Sequence, residues 1–225
     1  MKTNGKGFLA AGLALLMLFL LWTVLIRTVD VQPAGVNGTD VGFAAINTWF
    51  HKLTGVHMRV YTITDWLGLV PIAICGGFGI LGLVQWIRRK SLLKVDADIL
   101  LLGIYYIVVI LAYLVFEMIP INYRPILIDG AMEASYPSST TLLVLSVMPT
   151  LIFQADRRAE KPAVRIAATA FAVLFSAFMV IGRLTAGVHW LTDIIGAVLL
   201  STGLYLAYRA CVAFADQKKQ KEQEA

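Results

Sequence analysis

Charge and cysteine are scarce in this chain. Only 15% of its 225 residues are charged, well below the quarter or so found in a soluble domain. Its two cysteines, Cys75 and Cys211, sit inside apolar stretches at no metal-ligand spacing. That excludes a disulfide framework and a zinc site, and reads as buried, inert thiols. No small-residue cleavage site follows the first apolar run, Phe8–Ile26, which stands behind Lys2 and Lys6. The run therefore reads as an uncleaved membrane helix. No internal repeat is present. The net charge of +5 lies in short basic clusters beside apolar runs, not along one face, which excludes nucleic-acid binding.

What the chain has is apolar length: 59% of its residues are hydrophobic and its mean hydropathy is +0.77. Runs long enough to cross a bilayer occur at Phe8–Ile26, Trp66–Ile87, Ile99–Ile119, Thr140–Phe153, Ile166–Gly182 and Leu191–Ala210, predicting an all-α polytopic bundle of six membrane helices. The fourth run is short and contains Pro149, so it is expected to begin earlier or to pack kinked. Basic clusters at Arg88–Lys90 and Lys94, at Arg157, Arg158, Lys161 and Arg165, and at Lys218, Lys219 and Lys221 follow the even-numbered helices. The positive-inside rule places these ends, and both termini, in the cytoplasm. Residues 1–225 then form one integral membrane domain, with an outer interfacial loop at 28–65, polar outer segments at 117–141 and 182–193, and a short cytoplasmic tail at 211–225. The compact size and cationic inner loops suit a bacterial plasma membrane.

Finer expectations follow from local pattern. Ile46, Trp49, Phe50 and Leu53 recur at helical spacing before Thr54-Gly55, predicting an interfacial helix. Asp65 is the expected N-cap of the second span. Gly76, Gly77, Gly79 and Gly82 are expected to admit close helix packing. His51, His57 and Arg59 are expected at the solvated membrane surface, and Gln217–Ala225 as a disordered tail.

Chemistry concentrates in two outer segments. Between the fifth and sixth spans stand Arg183, His189 and Asp193, polar residues that are costly at a membrane junction without a purpose. His189 and Asp193 are four apart, so on one helix face the carboxylate would orient the imidazole. Such a pair serves a nucleophilic histidine; it equally serves an interfacial histidine steadied by a first-turn aspartate. In the other segment, Arg124 offers a rigid fork of donors for phosphate oxygens. Pro137-Ser138-Ser139 opens a helix whose first-turn N–H groups suit an anion. Glu117, Asp129 and Glu133 lie nearby.

In these residues the chain resembles the type 2 phosphatidic acid phosphatases. The family's third motif, Arg, five residues, His, three residues, Asp, is matched by Arg183, His189 and Asp193; its first motif ends in Arg-Pro, as at Arg124-Pro125; its second opens with Pro-Ser, as at Pro137-Ser138. The resemblance covers the second half of the chain. It implies a membrane lipid phosphatase with His189 as a nucleophile forming phosphohistidine and Asp193 as its partner. Arg124, Arg183, Ser138 and the Ser139 backbone would cradle phosphate, and no metal or other cofactor is implied. The substrate would be a lipid phosphate or an isoprenoid diphosphate such as undecaprenyl diphosphate. A phosphotransferase, or a relative that binds or moves phospholipid without catalysis, fits the same resemblance.

Three positions depart from the family pattern. Gly182 replaces the Ser that opens the third motif. Glu117 stands where the first motif has Lys, putting a potential anion in place of a phosphate-binding cation. Thr140 stands where the second motif ends in His, the acid that protonates the leaving group, and a threonine hydroxyl cannot do so near neutral pH. Two escapes are open. Glu117, part-buried beside phosphate, could keep a proton and act as the acid, or it could pair with Arg124 or Arg183. Alternatively a diphosphate substrate, whose leaving group is a phosphate monoester, needs an acid less.

Overall fold

The computed structural model describes residues 4–224. They form eight α-helices: α1 (Gly5–Thr28), α2 (Ala44–Thr54), α3 (Met58–Leu67), α4 (Leu69–Arg89), α5 (Ala97–Met118), α6 (Ser139–Arg158), α7 (Pro162–Thr185) and α8 (Leu191–Glu224). α3 and α4 run on as one span, so six helical stretches are long and apolar enough to cross a membrane. The chain is an all-α multi-pass membrane protein, as its apolar runs predict. Leucines and valines such as Leu13, Leu20 and Val173 cover the bundle's outer surface, where lipid replaces water as solvent.

α8 is the central helix. It packs along α1, where a Cβ on Gly12 would lie 3.0 Å from the Gly203 carbonyl oxygen. Lower down, Leu200 and Tyr208 of α8 join Tyr105 of α5 and Leu142 of α6 in the core. Near the upper end, where α1 finishes and α8 starts, the Tyr136 ring occupies the space that a side chain on Gly196 would need. Tyr136 also stacks on Phe19 and shares a 2.8 Å hydrogen bond with the Thr23 hydroxyl. Close packing thus belongs to Gly12, Gly196 and Gly203. Gly76, Gly77 and Gly79, expected to serve that purpose, have open space where a Cβ would stand, and only Gly82 meets a neighbour, Ile99. Gly79 and Gly82 line a groove between α4 and α5.

Several boundaries differ from the sequence expectation. The second span begins at Met58, and Asp65 lies in the last turn of α3 instead of capping a helix. The helix axis is interrupted at Gly68, whose N–H still bonds the Asp65 carbonyl at 2.9 Å. α6 starts as expected beside Pro137-Ser138 but continues through Pro149 to Arg158. Residues 217–224 are helical, not disordered. An ion pair, Arg157 to Asp216 at 2.7 Å, ties α8 to α6 where the apolar stretch ends. Cys211 is exposed and Cys75 half-buried, so neither is a buried thiol. Lys2 and Ala225 lie outside the described residues.

That ion pair belongs to a cluster closing the lower end. Asp98 is buried and accepts from Arg158 Nη1 at 2.7 Å, with Arg157 Nε 3.3 Å away. Tyr208 and Gln154 join the same network. Removing the carboxylate leaves two guanidinium groups short of an acceptor. Asp98→Asn is expected to lower stability by about 2 kcal/mol, read as an earlier thermal midpoint in detergent; an unchanged midpoint would show the cluster to be energetically idle.

Candidate active site

The segment between α5 and α6 is a short hairpin. Asp129 and Gly130 both take positive φ, 49° and 80°, the backbone of a two-residue primed turn favoured by Asp-Gly. Ile128 and Ala131 exchange hydrogen bonds across it, and Tyr123 bridges Ala134. This register sets Arg124 opposite Glu133 and Asn122 opposite Ser135, the bonds being Arg124 N–H to Glu133 O at 3.1 Å and Ser135 N–H to Asn122 O at 2.9 Å.

The hairpin closes over the start of α8. Asp193, fully buried, reaches back to the Trp190 N–H at 2.8 Å, the backward half of a capping box. Its carboxylate also accepts from Asn122 Nδ2 at 3.3 Å and from the Ser135 hydroxyl. His189 and Asp193 come together as their spacing predicts, but His189 Nδ1 is 3.8 Å from the carboxylate, too far for a hydrogen bond. Ser135 stands between them: Nδ1 is 3.1 Å from its carbonyl oxygen and 3.2 Å from its hydroxyl. Sequence reasoning passed over Ser135, which carries no motif signal beyond standing two residues before Pro137.

The tautomer follows. His189 Nε2 faces Arg183 Nη2 at 3.5 Å, and a guanidinium only donates. Nε2 is therefore an acceptor and Nδ1 carries the proton, donating to the Ser135 carbonyl. Burial, then the positive charges of Arg124 and Arg183, hold the imidazole well below the ordinary histidine pKa. His189 is a neutral ring whose Nε2 carries the lone pair, turned toward Arg183.

Arg124 and Arg183 are both buried, and both guanidinium groups lie over the Tyr61 ring, 5.8 and 5.0 Å from its centroid. Tyr61 is a further residue the sequence did not flag, since its role depends on α3 rising above the break at Gly68. Arg183 also meets Thr64 at 3.5 Å and Asp65 at 3.6 Å. The departure at Gly182 is explained here, because a Cβ would come within 2.7 Å of the Thr64 methyl. Arg124 Nε lies 3.0 Å from Glu133. Even so, Arg124 Nε and Nη1 and Arg183 Nε are buried without a well-aligned hydrogen-bond acceptor.

Ser138 is buried at the start of α6, and its hydroxyl donates to Thr141 at 3.0 Å; the first-turn N–H groups of α6 have no acceptor within the helix. Thr140 is buried in that turn and Ser139 half-buried. Glu117 lies at the edge of the site. It is exposed in the last turn of α5 and lines a small cavity with Ser135, Tyr136 and Ser139. Among the described residues the carboxylates paired with the arginines are Glu133 and Asp65, so Glu117 is not their ion-pair partner.

α2 does more than anchor at an interface. Its Asn47 donates to Thr192 Oγ1 at 3.0 Å and accepts from the Thr192 N–H at 3.3 Å. His51, expected in solvent, bonds the Gly187 carbonyl at 3.1 Å and packs on Trp190. The first outer loop thus braces the His189 segment.

The profile of the PAP2 superfamily matches residues 76–216. The chain belongs to the PAP2 superfamily. A solved structure described as the first transmembrane PAP2 type phosphatidylglycerolphosphate phosphatase, from Bacillus subtilis, superposes with a TM-score of 0.56 at 20% identity, over 92% of this chain and 96% of that one. At that identity the likeness is one of fold. No curated protein matches the chain. In this PAP2 protein the first, second and third motif positions converge on one buried cluster, with the first-motif Lys position left outside it.

Below about pH 6.5 the unfolded chain binds a proton at His189 that the folded protein does not, so acidification through that range removes stability. The direct check is NMR of labelled histidine, the His189 signal being assigned by its loss in His189→Gln. It is expected to show a neutral, Nδ1-protonated ring at pH 6; a midpoint at or above about 6.5 would contradict the burial argument.

Proposed function

We propose that this PAP2 protein is a membrane-embedded lipid phosphatase working through phosphohistidine. Nε2 of His189 attacks the phosphorus and the lipid oxygen leaves. Water then hydrolyses the N–P bond. Arg124, Arg183, Ser138 and the N–H of Ser139 hold the phosphate oxygens, while Asp193 steadies the cationic ring through Ser135. The observation that carries this reading is the set of buried, unaccepted guanidinium N–H groups beside a neutral imidazole. An unsatisfied buried donor costs roughly 1–3 kcal/mol, and a phosphate anion removes that cost. The basic clusters at the opposite end of the bundle support an outward-facing site in a plasma membrane, with both termini cytoplasmic.

The groove between α4 and α5 bears on the substrate. From a mouth at Asp65, Ser139 and Thr140, a cavity of about 510 Å³ runs to Cys75 and Tyr106. A second of about 410 Å³ continues from those residues to Trp86 and Leu92. Leu69 to Trp86 spans 17 residues, about 26 Å of helix, whereas a tail confined to one leaflet reaches about 15 Å. A long isoprenoid chain fills that length and a diacyl lipid does not. A diphosphate headgroup also suits Thr140, because its leaving group depends less on an acid. We therefore favour an isoprenoid diphosphate over a phosphatidyl monophosphate. Transfer to another acceptor would use the same phosphohistidine, and a binder without catalysis would need neither the oriented imidazole nor its relay.

Detergent-purified protein is expected to release phosphate from a polyprenyl diphosphate faster than from phosphatidate, and His189→Ala to abolish release. Gly103→Phe, which projects into the open groove, is expected to slow the long-chain diphosphate about tenfold more than farnesyl diphosphate, a ratio worth 1.4 kcal/mol. Release that survives His189→Ala would end the phosphohistidine reading; equal slowing of both chains would end the groove assignment.

A further inference from the structure

We infer that Asp65 is the base that takes the proton from the water discharging phosphohistidine, a proton transfer for which Thr140 offers no group. The inference rests on the phosphatase reading and names a catalytic residue within it. In an in-line displacement the leaving oxygen departs opposite the attacking Nε2. The lipid tail lies in the groove, so that departure point opens at the groove mouth. Once the lipid has gone, water must attack from the same position. The polar side chains lining the mouth are Asp65, Tyr113, Ser139 and Thr140, and of these only the carboxylate is a competent base near neutral pH.

The other carboxylates are placed for other work. Asp193 is occupied by Ser135, Asn122 and the Trp190 N–H. Glu133 lies close against Arg124, at 3.0 Å. Glu117 is exposed and lines a small adjoining cavity with Ser135 and Ser139, one that Asp65 and Thr140 do not line. Asp65 is held loosely, 3.6 Å from Arg183 Nη1, with its side chain 58% exposed. Nη2 of the same guanidinium is 3.5 Å from His189 Nε2. One arginine therefore sets the base and the nucleophile along neighbouring edges of its fork, and a phosphoryl group bound to it lies within reach of both.

The step balances without a further reagent. The water oxygen forms a bond to phosphorus while one of its protons passes to the Asp65 carboxylate. The N–P bond breaks, its electron pair returns to Nε2, and inorganic phosphate leaves. Asp65 then gives its proton to solvent. Nδ1 keeps its proton throughout, shared with Ser135. The first half-reaction, with a diphosphate substrate, does not use Asp65.

The test is rapid-quench labelling of the full-length protein with a polyprenyl diphosphate carrying radiolabel in its terminal phosphate. Wild type is expected to release phosphate with little label on protein. Asp65→Asn is expected to accumulate acid-labile, alkali-stable label approaching one phosphate per chain while steady release falls about 100-fold or more. Hydroxylamine, which attacks without a base, is expected to discharge that label. Asp65→Ser covers a folding failure of the first variant and is expected to behave alike. Release by Asp65→Asn within about threefold of wild type, or loss of label formation itself in folded variants, overturns the assignment. If wild type neither labels nor releases phosphate, the phosphatase reading has failed, and this inference with it.

Discussion

The upper end of the molecule is organised around one buried carboxylate. Asp193 starts α8 through the Trp190 N–H, holds both arms of the hairpin through Asn122 and Ser135, and accepts from the Ser138 N–H through its backbone carbonyl at 3.3 Å. Three segments that share no continuous helix are fixed by one side chain and its own peptide group. A buried charge of this kind is tolerated only when its lone pairs are satisfied, so the partners cannot drift without cost. Ring orientation, tautomer and the position of Nε2 all descend from this arrangement.

Around that fixed centre the electrostatics are deliberately incomplete. Arg124 and Arg183 share the face of Tyr61, and their charges add to the burial that keeps His189 neutral. Glu133 and Asp65 offset their charge from the outer side, yet buried guanidinium donors stay unaccepted. The result is a site that holds two cations in apolar surroundings and improves when an anion enters. Glu117, in place of the first-motif Lys, leaves this cluster intact, because it is exposed and the carboxylates paired with the arginines are Glu133 and Asp65.

Membrane spans were legible because apolar length is a property of composition, and the six runs each became a helix. The third-motif spacing was legible for a similar reason: His189 and Asp193 lie one helical turn apart. What was hidden depends on where chains meet. Asp65 reads as a cap from its place before an apolar run, but α3 begins seven residues earlier and carries Tyr61, Thr64 and Asp65 over the arginines. Ser135 gains its role from the Asp129-Gly130 turn, a signal that was present and not used. His51 was expected in solvent, and Asn47 drew no expectation, because their partners, the Gly187 carbonyl and Thr192, lie some 140 positions away. Gly76, Gly77 and Gly79 were misread because a small residue marks open surface as readily as close contact.

The central claim is that chemistry occurs at Nε2 of His189 while Nδ1 stays bonded to Ser135. Phosphorus NMR of protein quenched in alkali during turnover, with peptide mapping of the label, tests it most directly. The account predicts a phosphoryl group on Nε2 of His189; label on Nδ1, or on any other residue, would contradict it.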